Sequence, residues 1–242
     1  MINLTIDWGN TRVKAGVFQD EKLLKDYNFS EEEALAHLMN LIEEYKPGNT
    51  ILCSVANHPP ELRVLLQERT KLLVLGSQTA IPIMNAYHSP DSLGMDRIAL
   101  AVGINAIKPE HNNVVVSLGT AVTYNFVHKN RIFRGGNITP GLNMRFKALH
   151  EYTDKLPLVS EHGELVLLGY DTETSIRSGV IMGMVAEIDG MLNYYREQYS
   201  DFNAVLTGGN APLFVGKLKK QIFADSQLLL KGLNTILRHN VR

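Results

Sequence analysis

Apolar and polar residues alternate along Ile2 to Ile6, Arg12 to Phe18 and Lys22 to Phe29, a period that predicts three consecutive short strands. Turns at Gly9-Asn10 and Gln19-Asp20 separate them. The period then lengthens. Ser30 followed three residues later by Glu33 reads as a capping box, and Ala34, Leu35, Leu38, Leu41 and Ile42 form the apolar stripe of a helix that Lys46-Pro47-Gly48 stops. A continuous apolar run from Thr50 to Val55 predicts a buried strand. A second helix follows from about Pro60 to Thr70, then a strand over Leu72 to Leu75. A loop bearing Gly, Pro and Asn leads to Gly94, where an apolar helix begins and runs to about Ile107.

After Lys108-Pro109-Glu110-His111-Asn112-Asn113 the pattern restarts, which places one half-domain at 1–110 and a second at 111–242. The second plan reads strand (Asn113 to Val116), turn, strand (Ala121 to Val127), turn, strand. Gly135 to Gly141 reads as a rigid irregular loop, with helices over Leu142 to Tyr152 and Ser175 to Tyr199. Ile176, Val180, Ile181, Met184 and Ile188 give the latter helix an apolar stripe suited to a partner subunit. A strand over Phe202 to Leu206 ends in Thr207-Gly208-Gly209-Asn210, and Leu228 to Ile236 closes the chain as a helix. The expected fold is α/β, built from duplicated RNase H-like (actin-like ATPase) half-domains, each a mixed sheet with flanking helices.

Composition narrows the function. Across 242 residues the formal charge is −1, so there is no electrostatic footprint for nucleic acid or an anionic membrane. No apolar run approaches the roughly 18 residues of a membrane span, and Met1 leads straight into a strand, so a soluble cytoplasmic protein is expected. Cys53, the single cysteine, lies in an apolar run and reads as a reduced core thiol. The eight histidines show no metal-ligand spacing, and neither Gly-x-Ser-x-Gly nor a Gly-Lys-Ser/Thr phosphate loop occurs.

Chemistry concentrates at turns. Asp7-Trp8-Gly9-Asn10-Thr11 and, about 110 residues later, Ser117-Leu118-Gly119-Thr120-Ala121-Val122-Thr123 each follow an apolar strand and precede another. Glycine lets backbone approach a ligand, and successive N–H groups with Thr hydroxyls cradle an anion, so two such turns suit a nucleotide's phosphates. An Asp ending a buried strand is costly unless it meets a cation. Trp8 reads as packing, and Lys14 either reaches a phosphate or simply faces outward from its strand. At Gly94-Met95-Asp96-Arg97, an Asp at a helix start is an ordinary cap, yet the adjacent Arg offers a second role. A carboxylate to accept a proton beside a guanidinium to hold an anion makes a kinase acceptor site. Gly208-Gly209 suits close approach of an adenine ring to backbone.

Together and in order, Asp-x-Gly-Asn-Thr, Gly-x-Asp-Arg, Gly-Thr-Ala-x-Thr, Gly-Gly-x-Ile-x-Pro-Gly and Thr-Gly-Gly-Asn resemble the type III pantothenate kinases over essentially the whole chain. That family belongs to the acetate and sugar kinase/actin superfamily, and its members are homodimers that begin coenzyme A synthesis. The resemblance implies ATP with Mg²⁺ as cofactor and pantothenate as acceptor. It implies that Asp7, Gly9, Asn10, Thr11 and Lys14 serve the first phosphate loop, with Asp7 near the magnesium, and that Gly119, Thr120 and Thr123 serve the second. Gly208, Gly209 and Asn210 fall at the adenosine segment. Asp96 matches the general base; Tyr87, Gly94, Met95 and Arg97 fall in the pantothenate pocket, and Thr172 would enter it from the partner subunit. Many members place Asp where this chain has Ser117, to help hold potassium or ammonium, so this chain's need for a monovalent cation is the point at which it departs. A regulatory relative on the same fold would be expected to lack the acceptor pair that Asp96 and Arg97 preserve.

Overall fold

The computed structural model describes residues 1–54, 58–220 and 222–241. β1 (Ile2–Trp8), β2 (Val13–Gln19) and β3 (Lys22–Phe29) form an antiparallel meander at the expected positions. β4 (Asn49–Ser54) and β5 (Lys71–Val74) add in parallel on the other side of β1, giving the order β3-β2-β1-β4-β5. Val55, the expected end of the fourth strand, lies outside the described residues.

β1 shows how alternation divides labour. Leu4, Ile6 and Trp8 join one apolar cluster with Ala34, Leu38, Leu41 and Ile42 of α1 (Glu31–Tyr45) and Leu62 and Leu66 of α2 (Pro60–Arg69). Trp8 is wholly buried there, so its role is packing. Asn3, Thr5 and Asp7 point to the opposite face, where Asn3 donates a 3.1 Å hydrogen bond to Asn234. The first helix has half of its expected capping box. The Glu33 carboxylate accepts from the Ser30 backbone and hydroxyl (2.7 Å), but Ser30 makes no return bond to the helix backbone. Lys46 ends that helix in the left-handed region at φ 45°.

On the second face of this sheet lie α3 (Met95–Ile107) and α7 (Leu228–Asn240), packed against each other. Two glycines make this crossing close. A methyl on Gly232 would overlap the Ala99 carbonyl, and one on Gly103 would sit 2.6 Å from the Leu228 oxygen. The stretch before α3, expected as loop, holds β6 (Met84–Asn85) and a 3-10 turn at Pro90–Ser92.

The pattern repeats with β7 (Asn112–Leu118), β8 (Ala121–His128), β9 (Ile132–Pro140), β10 (Phe202–Thr207) and β11 (Phe223–Ala224), in the order β11-β10-β7-β8-β9-β6. Without β6 this is the order of the first sheet. The segment from Gly135 to Pro140 is strand and not the irregular loop expected from its glycines. A ladder is built from backbone groups, so glycine weakens a strand without forbidding it. α4 (Leu142–Glu151) lies where expected, whereas α5 (Thr172–Gln198) begins three residues before Ser175, because Asp171 caps it and accepts the Thr174 N–H at 2.8 Å. α6 (Ala211–Val215) and β11 are too short to leave a periodic signal.

The stripe expected to face a partner is also corrected. Ile176, Val180, Ile181, Met184 and Ile188 are all buried within the chain itself. Periodicity reports that a face is covered, not what covers it.

The chain forms two compact units: 1–113, 125–135 and 227–242 in one, 114–124 and 136–226 in the other. β7, β8 and β9 each run from one unit into the other, and α7 belongs to the first. Among the described residues no helix is long and apolar enough to cross a membrane.

Candidate active site

In the first unit, β1 and β2 join through a bend in which Gly9 N donates to the Arg12 carbonyl at 3.2 Å. Asn10 and Thr11 are exposed at its tip. Asp7 lies just before the bend, on the polar side of β1, paired in register with Lys14 on β2 and Cys53 on β4. Burial raises the Asp7 carboxyl to about 7; the Lys14 ammonium opposes this, and the charge of Asp96 adds to it. Lys14 is half-buried and acts on Asp7, so it is not a plain outward-facing lysine. Cys53 is wholly buried, with its thiol pushed up by burial and then by Asp7 and Asp96.

Asp96 stands in the first turn of α3. Burial raises its carboxyl, while the Arg97 N–H and guanidinium pull the other way. At Gly94, the cap, a methyl would lie 2.5 Å from Asp96 Oδ1, the far end of a side chain, so alanine there would push the carboxylate aside. Met95 opens the helix beside it, partly covered.

Arg97 is 4 % exposed, an expensive location for a charge. Its Nε donates to Asn125 Oδ1 at 2.7 Å, and its guanidinium lies 5.6 Å from the Tyr87 ring centre and 5.9 Å from that of Phe133. Its Nη2 is buried without a hydrogen-bond partner. Tyr87 is seated against Gly135, which has φ 91° and whose missing methyl would otherwise stand 2.8 Å from two ring carbons. Asn125 and Phe133 escaped the sequence reading. Asn125 left a faint signal, as a lone amide inside the apolar run Val122 to Val127.

In the second unit, Gly119 and Thr120 form the bend between β7 and β8, with Gly119 N donating to the Ala121 carbonyl at 3.1 Å. Ser117 is half-buried on β7, and Thr123 is half-buried on β8. Gly208, at φ 96°, packs on the end of β7: a methyl there would be 2.5 Å from the Leu118 oxygen, which accepts Asn210 N–H at 3.0 Å. Gly209 follows with open space beside it. The Gly208-Gly209 turn and the Gly119-Thr120 turn therefore adjoin the same strand end. Thr172 is exposed as the first residue of α5.

Asp7 carries a pH signature. Below pH 4 its carboxyl is protonated in folded and unfolded chains alike. Between about 4 and 7 the unfolded chain loses a proton that the folded chain keeps, so stability falls as pH rises through that window. Asp7→Asn should therefore melt a few degrees higher than the parent at pH 8 without ligand, and equally at pH 4, while losing activity. Thermal melts at the two pH values check this.

The α/β fold, with its two mixed sheets, is shared by solved structures. A ROK family glucokinase from Streptomyces griseus, solved with glucose and AMPPNP, matches 99 % of this chain and 100 % of its own at TM-score 0.57 and 14 % identity. A 2-dehydro-3-deoxygalactonokinase-like protein from Sinorhizobium meliloti matches 98 % of both chains at TM-score 0.60 and 15 % identity. A protein from Campylobacter jejuni described as a Baf family transcriptional activator matches 98 % of both at TM-score 0.62 and 21 % identity. At such identities these likenesses speak for the fold alone.

Sequence comparison is more specific. The type III pantothenate kinase family model matches residues 3–194. The type III pantothenate kinase of Phocaeicola vulgatus is 41 % identical over 240 residues, 99 % of each chain. That of Cytophaga hutchinsonii is 40 % identical over 240 residues, 99 % of this chain and 100 % of its own. The chain belongs to the type III pantothenate kinase family.

Proposed function

We propose that this enzyme transfers the γ-phosphoryl group of ATP to pantothenate, giving 4'-phosphopantothenate at the first step of coenzyme A synthesis, with Asp96 as general base. One observation carries the assignment of roles. The first turn of α3 pairs a carboxylate held above its ordinary range with a buried guanidinium whose Nη2 lacks a partner. The pantothenate carboxylate supplies that partner. Arg97, fixed by Asn125 and flanked by Tyr87 and Phe133, anchors the acid end; Gly94 and Met95 border it. Asp96 accepts the proton of the terminal hydroxyl. Phosphoryl transfer is loose, so this proton moves late and the main tasks are positioning and charge neutralisation.

The phosphates draw on Gly9, Asn10, Thr11 and Lys14 at the first turn and on Gly119, Thr120 and Thr123 at the second, with Gly208 and Gly209 beneath the adenosine. Among the described residues no three His, Cys, Asp or Glu side chains cluster as metal ligands. Magnesium carried on ATP keeps most of its waters and needs only one or two protein carboxylates, a demand that buried Asp7 fits. Bound there, the ion neutralises phosphate charge. Both substrates are soluble metabolites, and the enzyme works in the cytoplasm. Incubating the protein with ATP, Mg²⁺ and pantothenate and identifying the product by mass tests the reading; absence of phosphopantothenate refutes it.

The active unit is a homodimer whose sites include the partner subunit's Thr172. Two features support this. Leu167, Leu168 and Tyr170, just ahead of Thr172, are 88 %, 85 % and 71 % exposed. On α5, Gly179, Gly183 and Gly190 have open space where a side chain would stand, so another helix can approach closely. Gly183→Leu should leave the subunit folded and shift it to a monomer in sedimentation, with activity lost. Mixing inactive Asp96→Asn and Thr172→Ala subunits should restore some turnover; a fully active monomer contradicts the composite site.

Ser117 relaxes the cation requirement. A hydroxyl is a poorer ligand for potassium than a carboxylate, and it removes one negative neighbour from the ATP phosphates. Activity should change little when sodium or a bulky organic cation replaces potassium at constant ionic strength, and Ser117→Asp should introduce potassium dependence. An enzyme inactive without potassium would show that other oxygens hold the ion.

A further inference from the structure

The row of side chains that crosses the first sheet at Asp7 extends beyond β2. Register sets Lys14 opposite Asp7, and Asn28 on β3 opposite Lys14. In the next row Trp8, Val13 and Phe29 all enter the apolar cluster shared with α1 and α2. Successive side chains of a strand alternate between faces, so Asp7, Lys14 and Asn28 share the opposite, polar face.

Arg12, which follows the Gly9-Asn10-Thr11 bend, is tied to the far end of that row. Its Nε donates to Asn28 Oδ1 at 3.0 Å and its Nη2 to the Asn28 carbonyl at 3.4 Å. Its own carbonyl accepts the Gly9 N–H at 3.2 Å, so one residue fastens the bend through both backbone and side chain. The guanidinium is therefore exposed yet held in place. A guanidinium is a rigid fork of five N–H donors. Asn28 takes one from Nε and one from Nη2, which belong to a single edge; the Nη1–Nη2 edge keeps a parallel pair of donors. Such a pair matches two oxygens of a phosphate. Glu33 on α1 also feels the charge of Arg12, as the last of the influences on its carboxylate. The other cation of the row, Lys14, is half-buried and acts on Asp7.

We infer that Arg12 is a further ATP-binding residue: held to Asn28 by one edge of its guanidinium, it presents the other edge to the phosphates at the Gly9-Asn10-Thr11 bend. The inference rests on reading that bend as a phosphate site.

Arg12→Met removes the cation and should weaken ATP binding about tenfold, the worth of one charge-assisted hydrogen bond. Adenosine binding and the KM for pantothenate should stay put. Arg12→Lys keeps the charge but has one nitrogen where two acceptors wait, so it should recover only part of the loss. Asn28→Ala leaves the arginine and cuts a tether; ATP should weaken about threefold, the cost of ordering one loosened side chain on binding. Titration calorimetry with ATP and with adenosine reads all three variants. Equal losses for the two ligands, or a lower kcat with ATP affinity intact, would make Arg12 a structural residue and overturn the inference. Lys14→Met serves as the reference for the site itself. If it weakens ATP and Arg12→Met does not, the role of Arg12 fails alone. If neither variant weakens ATP, the phosphate reading of the bend falls with it.

Discussion

Asp96→Asn should keep the fold and nucleotide binding yet turn over about 10²–10⁴-fold more slowly, the usual loss when a general base is removed. The replacement is nearly isosteric, and Gly94 leaves room for either head group. What changes is that an amide cannot accept the acceptor hydroxyl's proton. The wild-type acid limb also follows from the site. Burial raises the Asp96 carboxyl, so kcat/KM should rise with pH through a midpoint above the ordinary carboxylate range as the base form appears. Asp96→Asn should lose that limb along with the rate. Steady-state kinetics across pH, with nucleotide affinity measured separately, check both parts; near-wild-type turnover would remove Asp96 from the mechanism.

Arg97→Lys should be nearly as damaging, though in a different parameter. The charge survives, but an ammonium cannot donate to Asn125 Oδ1 and lie between two rings while a second nitrogen reaches the substrate. The KM for pantothenate should rise about 10- to 100-fold, with the KM for ATP unchanged. The neutral alcohol analogue of pantothenate separates this from general damage. Wild type should strongly prefer the acid, and the variant should lose most of that preference, because the alcohol never used the Nη2 contact. Equal losses on acid and alcohol would place the substrate carboxylate elsewhere.

Much of this architecture was legible in the chain. The meander Ile2 to Phe29, the apolar helix from Gly94 and the two Gly-centred bends all follow from local period and turn chemistry. Asp96 and Arg97 were visible as adjacent residues on one helix turn. Their surroundings were visible only in part: the resemblance placed Tyr87 in the same pocket, but Asn125 and Phe133 reach Arg97 from separate segments, and a single sequence carries no record of which segments meet. The strand over Gly135 to Pro140 was hidden by its glycines, whose weak propensity is overridden by ladder pairing. The α5 stripe misled for a related reason: Ile176, Val180, Ile181, Met184 and Ile188 do mark a covered face, but the chain covers it itself. Gly179 and Gly183, one turn apart on the same helix, have open space beside them.

In the proposed reaction the buried Arg97 and the neighbouring Asp96 carboxylate make pantothenate the acceptor. The most direct test is ADP release from Mg·ATP, measured with pantothenate and with a panel of hexoses, amino sugars and small carboxylic acids. The expected result is ADP release that depends on pantothenate, with no comparable rate for any sugar. Turnover with a hexose, and none with pantothenate, would contradict it.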